Sequence, residues 1–196
     1  MNAIDTSEDT TGMAQSIQAS GYEAVGVYLR ADRCSTAMIA DLHHAGLQVW
    51  SVYEKGFPTG DSYFTAAQGT TDGVRAASFA VTIGQPGGTQ IYAAVDYDPD
   101  DSDPTGPTIN GPISQYMTAF KAALNSSGYV ASIYGSGRTC RILVAKGLAQ
   151  TGWLAGSTGW AEYSAFAPRA GILQGKGISN DWDADTIANP ALPGLW

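Results

Sequence analysis

Four times along this chain a helical pattern ends at a glycine and turns into a short apolar run: at Ser20-Gly21, Ala45-Gly46, Ser127-Gly128 and Thr151-Gly152. Glycine closes an α-helix because it enters the left-handed conformation without a Cβ penalty. An uninterrupted apolar run is the mark of a strand covered on both faces. Helix, glycine, strand, repeated, predicts parallel βα units.

Counting such runs carries the argument to a fold. They are Ala3–Asp5, Ala24–Leu29, Leu47–Tyr53, Gln90–Val95, Tyr129–Tyr134, Gly152–Leu154, Ile172–Gln174 and, as a fainter pattern, Asp181–Asp183. Helical stripes lie between them. Met38, Ile39, Leu42 and Ala45 share one face, as do Ile113, Tyr116, Met117, Phe120 and Leu124. An Ala-rich segment from Ala66 to Ile83 carries Val74, Ala77 and Val81 on one stripe, and Cys140, Leu143, Val144 and Leu148 make another. These runs fit a closed α/β barrel of the (β/α)8 TIM type better than an open sheet, with short or irregular last units. No linker or composition shift divides the 196 residues, so one domain over 1–196 is expected.

Composition removes some function classes. The net charge is −8, and ten Lys and Arg against eighteen Asp and Glu suit a nucleic-acid binder poorly. An apolar run of the ~20 residues needed to span a bilayer does not occur. Met1 to Met13 is polar and lacks the pattern of a Sec signal. Cys34 and Cys140 are expected to be free thiols.

In β/α barrels the chemistry sits at the C-terminal strand ends. Here those ends carry Asp5, Glu54, Asp96 with Asp98, Gln174, and Asp181 with Asp183. Asp96 follows the buried run Ile91–Val95, where desolvation and like charge raise a carboxyl's pKa as a general acid requires. A pair of such carboxyls is the equipment of glycoside cleavage. Asp96, Asp98 and Asp100 also match the first ligand positions of an EF-hand, but Asp101 stands where glycine is needed and Pro107 where glutamate is needed. No metal or cofactor is therefore expected, a looser hard-cation site being the minor alternative. Aromatic residues at or past the strand ends, Tyr53, Tyr97, Tyr134, Trp160 and Trp182, could form the walls of a sugar groove. Trp50 and Trp153 read as core, and His43 and His44 as helix-surface or packing residues.

In this order, the motifs resemble a known family. They are Asp5, Gly26-Val-Tyr-Leu-Arg30, Leu42-His-His-Ala-Gly-Leu47, Val52-Tyr-Glu54, Ile91-Tyr-Ala-Ala-Val-Asp-Tyr-Asp98, Ser132-Ile-Tyr-Gly135, Ile172-Leu-Gln174, Asp181-Trp-Asp183 and Gly194-Leu-Trp196. The chain is similar to the glycoside hydrolase-like domains grouped as DUF1906, distantly related to the family 25 lysozymes. The resemblance implies a (β/α) barrel and a carbohydrate site with Asp5, Glu54, Asp96, Asp98 and Asp181 as catalytic carboxylates; from their places at the strand ends, Tyr53, Tyr97, Tyr134, Trp160, Gln174, Trp182 and Asp183 are expected to bind substrate. Its substrate would be peptidoglycan or a related amino-sugar polysaccharide. Asp98 or Glu54 would protonate the leaving oxygen and Asp96 would stabilise positive charge, while a substrate acetamido group could serve as nucleophile. The lysozymes carry Asp-x-Glu where this chain has Asp96-Tyr97-Asp98, one methylene shorter, and proton donation depends on such reach. A non-catalytic glycan-binding barrel and a metal-dependent hydrolase are the alternatives. A monomer acting outside the cytoplasm, exported by a route other than Sec, completes the expectation.

Overall fold

The structure, a computed structural model, describes residues 1–179 and 181–196. Its strands are β1 (Asn2–Thr6), β2 (Ala24–Tyr28), β3 (Gln48–Tyr53), β4 (Gln90–Ala94), β5 (Val130–Gly135), β6 (Gly152–Leu154), β7 (Ile172–Gly177) and β8 (Trp182–Thr186). They close into a barrel in chain order. The helices are α1 (Ala14–Ala19), α2 (Thr36–His44), α3 (Ala66–Thr82), α4 (Ser114–Ser126), α5 (Gly137–Ala145) and α6 (Tyr163–Phe166). The expected TIM-type barrel is therefore present, and its late helix α6 is a single turn.

Local chemistry explains where these elements start and stop. Ser35, Thr65 and Ser136 precede α2, α3 and α5, and each side chain accepts the N–H three residues on, from Met38, Gln68 and Thr139. Gly21, Gly46 and Gly128 take positive φ after α1, α2 and α4 as expected. At the fourth motif the structure corrects the reading. The left-handed residue after α5 is Gly147, whereas Gly152 opens β6 and is small because a Cβ there would lie 2.6 Å from the Phe166 ring.

Two further corrections follow from packing. The final strand begins at Trp182 and runs to Thr186, and it lies antiparallel to both β7 and β1. A parallel return needs a crossover of a dozen or more residues, and the chain between β7 and β8 is far shorter, so it forms a hairpin. On α3 the buried face is Gly69, Asp72, Gly73, Ala76, Ala77 and Ala80. Val74 and Val81, expected on the buried stripe, are 55% and 65% exposed. The cause is close approach to α4: a Cβ on Gly73 would stand 2.7 Å from Ala123 Cβ, and one on Gly69 would collide with the Tyr116 carbonyl oxygen.

Side chains alternate along each strand, which gives the barrel two cores. Ile4, Val25, Val49, Ile91 and Ile133 face the helices. Ala3, Ala24, Trp50, Val52, Tyr92, Ala94, Trp153 and Ile172 fill the interior. Trp153 is the hub of that interior, meeting Trp50, Tyr92 and Tyr134 edge-to-face at centroid distances of 5.6, 6.0 and 4.8 Å. Gly26 makes room for it all, since a Cβ there would sit 2.5 Å from the Trp50 ring. The lower end is closed by the C-terminal segment. Val49 and Trp196 exchange both backbone hydrogen bonds, and Tyr92 Oη donates to the Pro193 carbonyl at 3.3 Å. The upper end, where the strands finish, is the opposite face.

Candidate active site

Above the tryptophan layer the inward positions become polar. The registers Asp5 with Gly26 and Asp5 with Asp183 bring the ends of β1, β2 and β8 level. Tyr53 of β3 pairs with Ala93 of β4, so Glu54 stands beside Ala94, and Asp96 is one inward step farther out. Tyr134 on β5 and Gln174 on β7 complete the ring.

Gln174 ties this ring together. Its amide nitrogen donates to Asp5 Oδ2 at 3.1 Å and to Asp183 Oδ2 at 3.3 Å. Its oxygen accepts the Tyr134 hydroxyl at 2.9 Å and the Gly156 N–H at 3.1 Å. Deeper in the barrel, Trp153 Nε1–H donates to Asp185 Oδ1 at 2.9 Å, while Asp185 Oδ2 is buried without a partner. A proton shared with Asp5 would satisfy that oxygen.

Burial of several acids together determines their protonation. Desolvation raises Asp5 to about 7, against hydrogen bonds from Asp185 and Gln174 that lower it, and the charge of Asp183 adds to the rise. Asp185 is pushed well above the carboxylate range, first by burial and then by Asp5. Glu54 rises to about 7 through burial and the charges of Asp96 and Asp5, opposed by Arg30. Burial also raises Asp96 and Asp183. Tyr28 and Tyr134, whose phenols feel Asp5, Glu54 and Asp96, stay neutral donors.

Glu54 and Asp96 differ from the other acids. Among the described residues neither carboxyl accepts a hydrogen bond, whereas Asp5, Asp183 and Asp185 are held in place. Glu54 also lines a cavity of about 270 Å³ with Arg30, Lys55, Gly56 and Phe57. Phe57 is 85% exposed and held at φ 62°, an uncommon conformation for a bulky residue.

The structure thus gathers Asp5, Glu54, Asp96, Tyr134, Gln174 and Asp183 at the barrel mouth. It does not bring Asp181 there: that carboxylate accepts the Ser7 hydroxyl at 2.7 Å on the outer rim, with Arg33 at 4.0 Å. Asp98 turns to the loop after β6, its Oδ2 accepting the Ala161 N–H at 2.6 Å, with Oδ1 buried and unpartnered. Tyr53 and Trp182 alternate outward from their strands. Tyr53 packs among the helix-facing core, and Trp182 donates to Glu8 at 2.8 Å and sits against α1 beside Met13 and Tyr22. Tyr97 stacks on Phe64 and donates to Asp61 at 2.6 Å. Trp160 is half-buried in the loop before α6, next to Ala161. Asp100 and Asp103 cap turns, accepting N–H groups from Thr108, Ile109 and Thr105, and no cluster fit for a metal forms among the described residues. Cys34 and Cys140 are free and buried. His43 packs its edge on Trp196.

Two members of the mouth escape the sequence reading, Tyr28 and Asp185. The signal for both is strand alternation: Gly26 and Tyr28 share a face, and extending the last strand past Asp183 adds Asp185 to that same face.

A family model described as Rv2525c-like, glycoside hydrolase-like domain matches residues 15–189. YbfG and FadG, two uncharacterised proteins of Bacillus subtilis strain 168, are 33% and 30% identical over 82% and 78% of this chain. The chain spans about a quarter of each relative, 24% and 27%. Among solved structures, the Tat-secreted protein Rv2525c of Mycobacterium tuberculosis aligns over 100% of this chain and 98% of its own, with a TM-score of 0.81 at 20% identity. The modular autolysin LytC of Streptococcus pneumoniae, solved with a synthetic peptidoglycan ligand, aligns over 94% of this chain and 46% of its own, with a TM-score of 0.58 at 12% identity. Likenesses at such identities speak for a shared fold.

Proposed function

Because the chain belongs to the Rv2525c-like, glycoside hydrolase-like family, we propose that its barrel mouth hydrolyses a glycosidic bond in peptidoglycan or a related amino-sugar polysaccharide. The observation that carries this reading is the pair Glu54 and Asp96. Both are desolvated acids just past the ends of adjacent strands, without a hydrogen-bond partner among the described residues, and Glu54 borders an open cavity.

The roles follow from the electrostatics. Glu54, raised to about 7, holds a proton near neutral pH and delivers it to the leaving oxygen. Asp96 faces the anomeric centre and stabilises the positive charge that develops there. Gln174 spends its own hydrogen bonds on holding Asp5, Asp183 and Tyr134, and so fixes the wall against which a sugar would lie. Asp98, whose Oδ2 is taken by the Ala161 N–H, fixes the loop that frames the mouth rather than donating the proton. Phe57 offers an exposed ring on which a sugar face can stack.

A peptidoglycan substrate is consistent with the ligand of the structurally similar autolysin, and work outside the cytoplasm with the secretion of Rv2525c. The chain would act as one domain and as a monomer. The test is incubation with purified peptidoglycan, followed by reducing-end assay and mass spectrometry of the products. Turnover is expected to fall by about 10²-fold or more in Glu54→Gln, to survive in Asp98→Asn, and to decline as pH rises through about 7. Retained turnover in Glu54→Gln overturns the assignment. Glycan binding with no release of reducing ends would make the barrel a binding module.

A further inference from the structure

A second hollow lies beside the Glu54 cavity. It measures about 410 Å³ and is lined by Arg30, Asp32, Tyr53, Lys55, Arg75 and Phe79 among others. Arg30 and Lys55 line both spaces, so the two are neighbours. On a chain with net charge −8 and ten basic residues, this hollow holds three cations and one acid.

Those cations are not equivalent. Arg30 grips Asp32 in a bidentate pair at 3.1 and 2.7 Å, which fixes its guanidinium. Lys55 and Arg75, among the described residues, have no carboxylate within the 4.0 Å reach of an ion pair. Three cations against a single acid, two of them without a carboxylate partner, make a surface arranged for an anion.

We propose, resting on the glycosidase reading of the adjoining mouth, that this hollow is an anion subsite through which the barrel selects an acidic glycan, with Arg75 and Lys55 receiving a carboxylate or phosphate carried by a sugar next to the one at Glu54. The neighbouring acids give the subsite its logic. Among the described residues, the mouth offers an acidic sugar carboxyl groups and no cation of its own, so the charged substituent is steered to the cationic side and the chain is oriented across Glu54.

The experiment compares an acidic tetrasaccharide containing hexuronate with its carboxyl-reduced form, by calorimetric titration at low salt. Glu54→Gln serves as host, so that binding is read apart from hydrolysis. The acidic form is expected to bind about fivefold more tightly, with a gap that narrows as salt is added. Lys55→Gln combined with Arg75→Gln should abolish the gap, and Arg75→Gln alone, outside the Glu54 cavity, should narrow it while leaving the reduced form's affinity unchanged; both residues are exposed, so the fold is retained. Equal affinities in the host, or a gap that survives in the double variant, overturn the proposal. Competition with glucuronate and with glucose 6-phosphate identifies the anion as carboxylate or phosphate, and failure of both to compete also overturns it. A charge preference without any release of reducing ends from wild-type protein would refute the glycosidase and leave the subsite standing.

Discussion

Asp5 and Asp185 share a space too small and dry for two negative charges, and that makes protonation a part of this protein's stability. The sign can be worked out from Asp5. Its folded value of about 7 lies above the ordinary 3.8, so between those limits the native state keeps a proton that the unfolded chain has released. Unfolding then releases a proton, and stability falls as pH rises from about 4 to about 7, levelling above it. Between pH 5 and pH 8 Asp5 alone contributes a loss on the order of 2–3 kcal/mol to the stability read by urea unfolding, and Glu54, also raised to about 7, adds to it. Asp185→Asn, which can still accept the Trp153 N–H, should shrink that loss. An unchanged pH dependence in the variant would count against the shared proton. At this scale the sequence is legible where an acid ends an apolar run, as at Asp5, Glu54 and Asp96. It misleads by one position at Tyr53 and Trp182, because a neighbouring residue on a strand faces the opposite side. Asp98 reads like Asp96 in sequence, and its binding to Ala161 comes from a loop 63 residues away.

Helices α3 and α4 meet closely because α3 turns glycines toward the backbone of α4. The contact is made by Gly69 and Gly73 against the backbone of Tyr116 and Phe120, and it lets Asp72 gather the Tyr63 and Tyr116 hydroxyls at 2.6 and 3.0 Å and the Gln68 amide at 2.8 Å. A methyl group at Gly69 has nowhere to go. Gly69→Ala should therefore cost about 1–3 kcal/mol despite alanine's better helix propensity, whereas Val74→Ala should stay within about 0.5 kcal/mol. Chemical denaturation of the two variants side by side checks this. The reverse order would mean that the apolar stripe, and not the small residues, is the packed face. Periodicity alone favours the stripe through Val74, since hydrophobicity scales give no weight to glycine as a packing surface. The antiparallel β8 is hidden for a similar reason. Its few apolar residues, Trp182 and Ala184, carry no sign of direction, and the shortness of the preceding turn is the one usable clue.

Across the whole molecule, the barrel is asymmetric: a polar mouth at one end and a sealed base at the other. Residues 193–196 make that seal, through the paired backbones of Trp196 and Val49 and the Pro193 carbonyl under Tyr92. Deleting them would expose the lower side of the interior, where Trp50 and Tyr92 are fully buried. The expected loss is about 3 kcal/mol or more, seen as a melting temperature lower by roughly 6 °C or more. A melting temperature unchanged by the deletion would show that the segment covers nothing essential. The barrel as a whole is legible in sequence because its βα rhythm is local, whereas the seal depends on contacts spanning more than a hundred residues, from Pro193 to Tyr92. The N-terminal amine also lies at this base, donating to the Ile187 carbonyl at 3.1 Å. Both chain ends therefore leave from the face opposite the acids. A tether fixed at either end, whether a surface, a bead or a neighbouring module, would hold the barrel by its back and leave its opening turned outward.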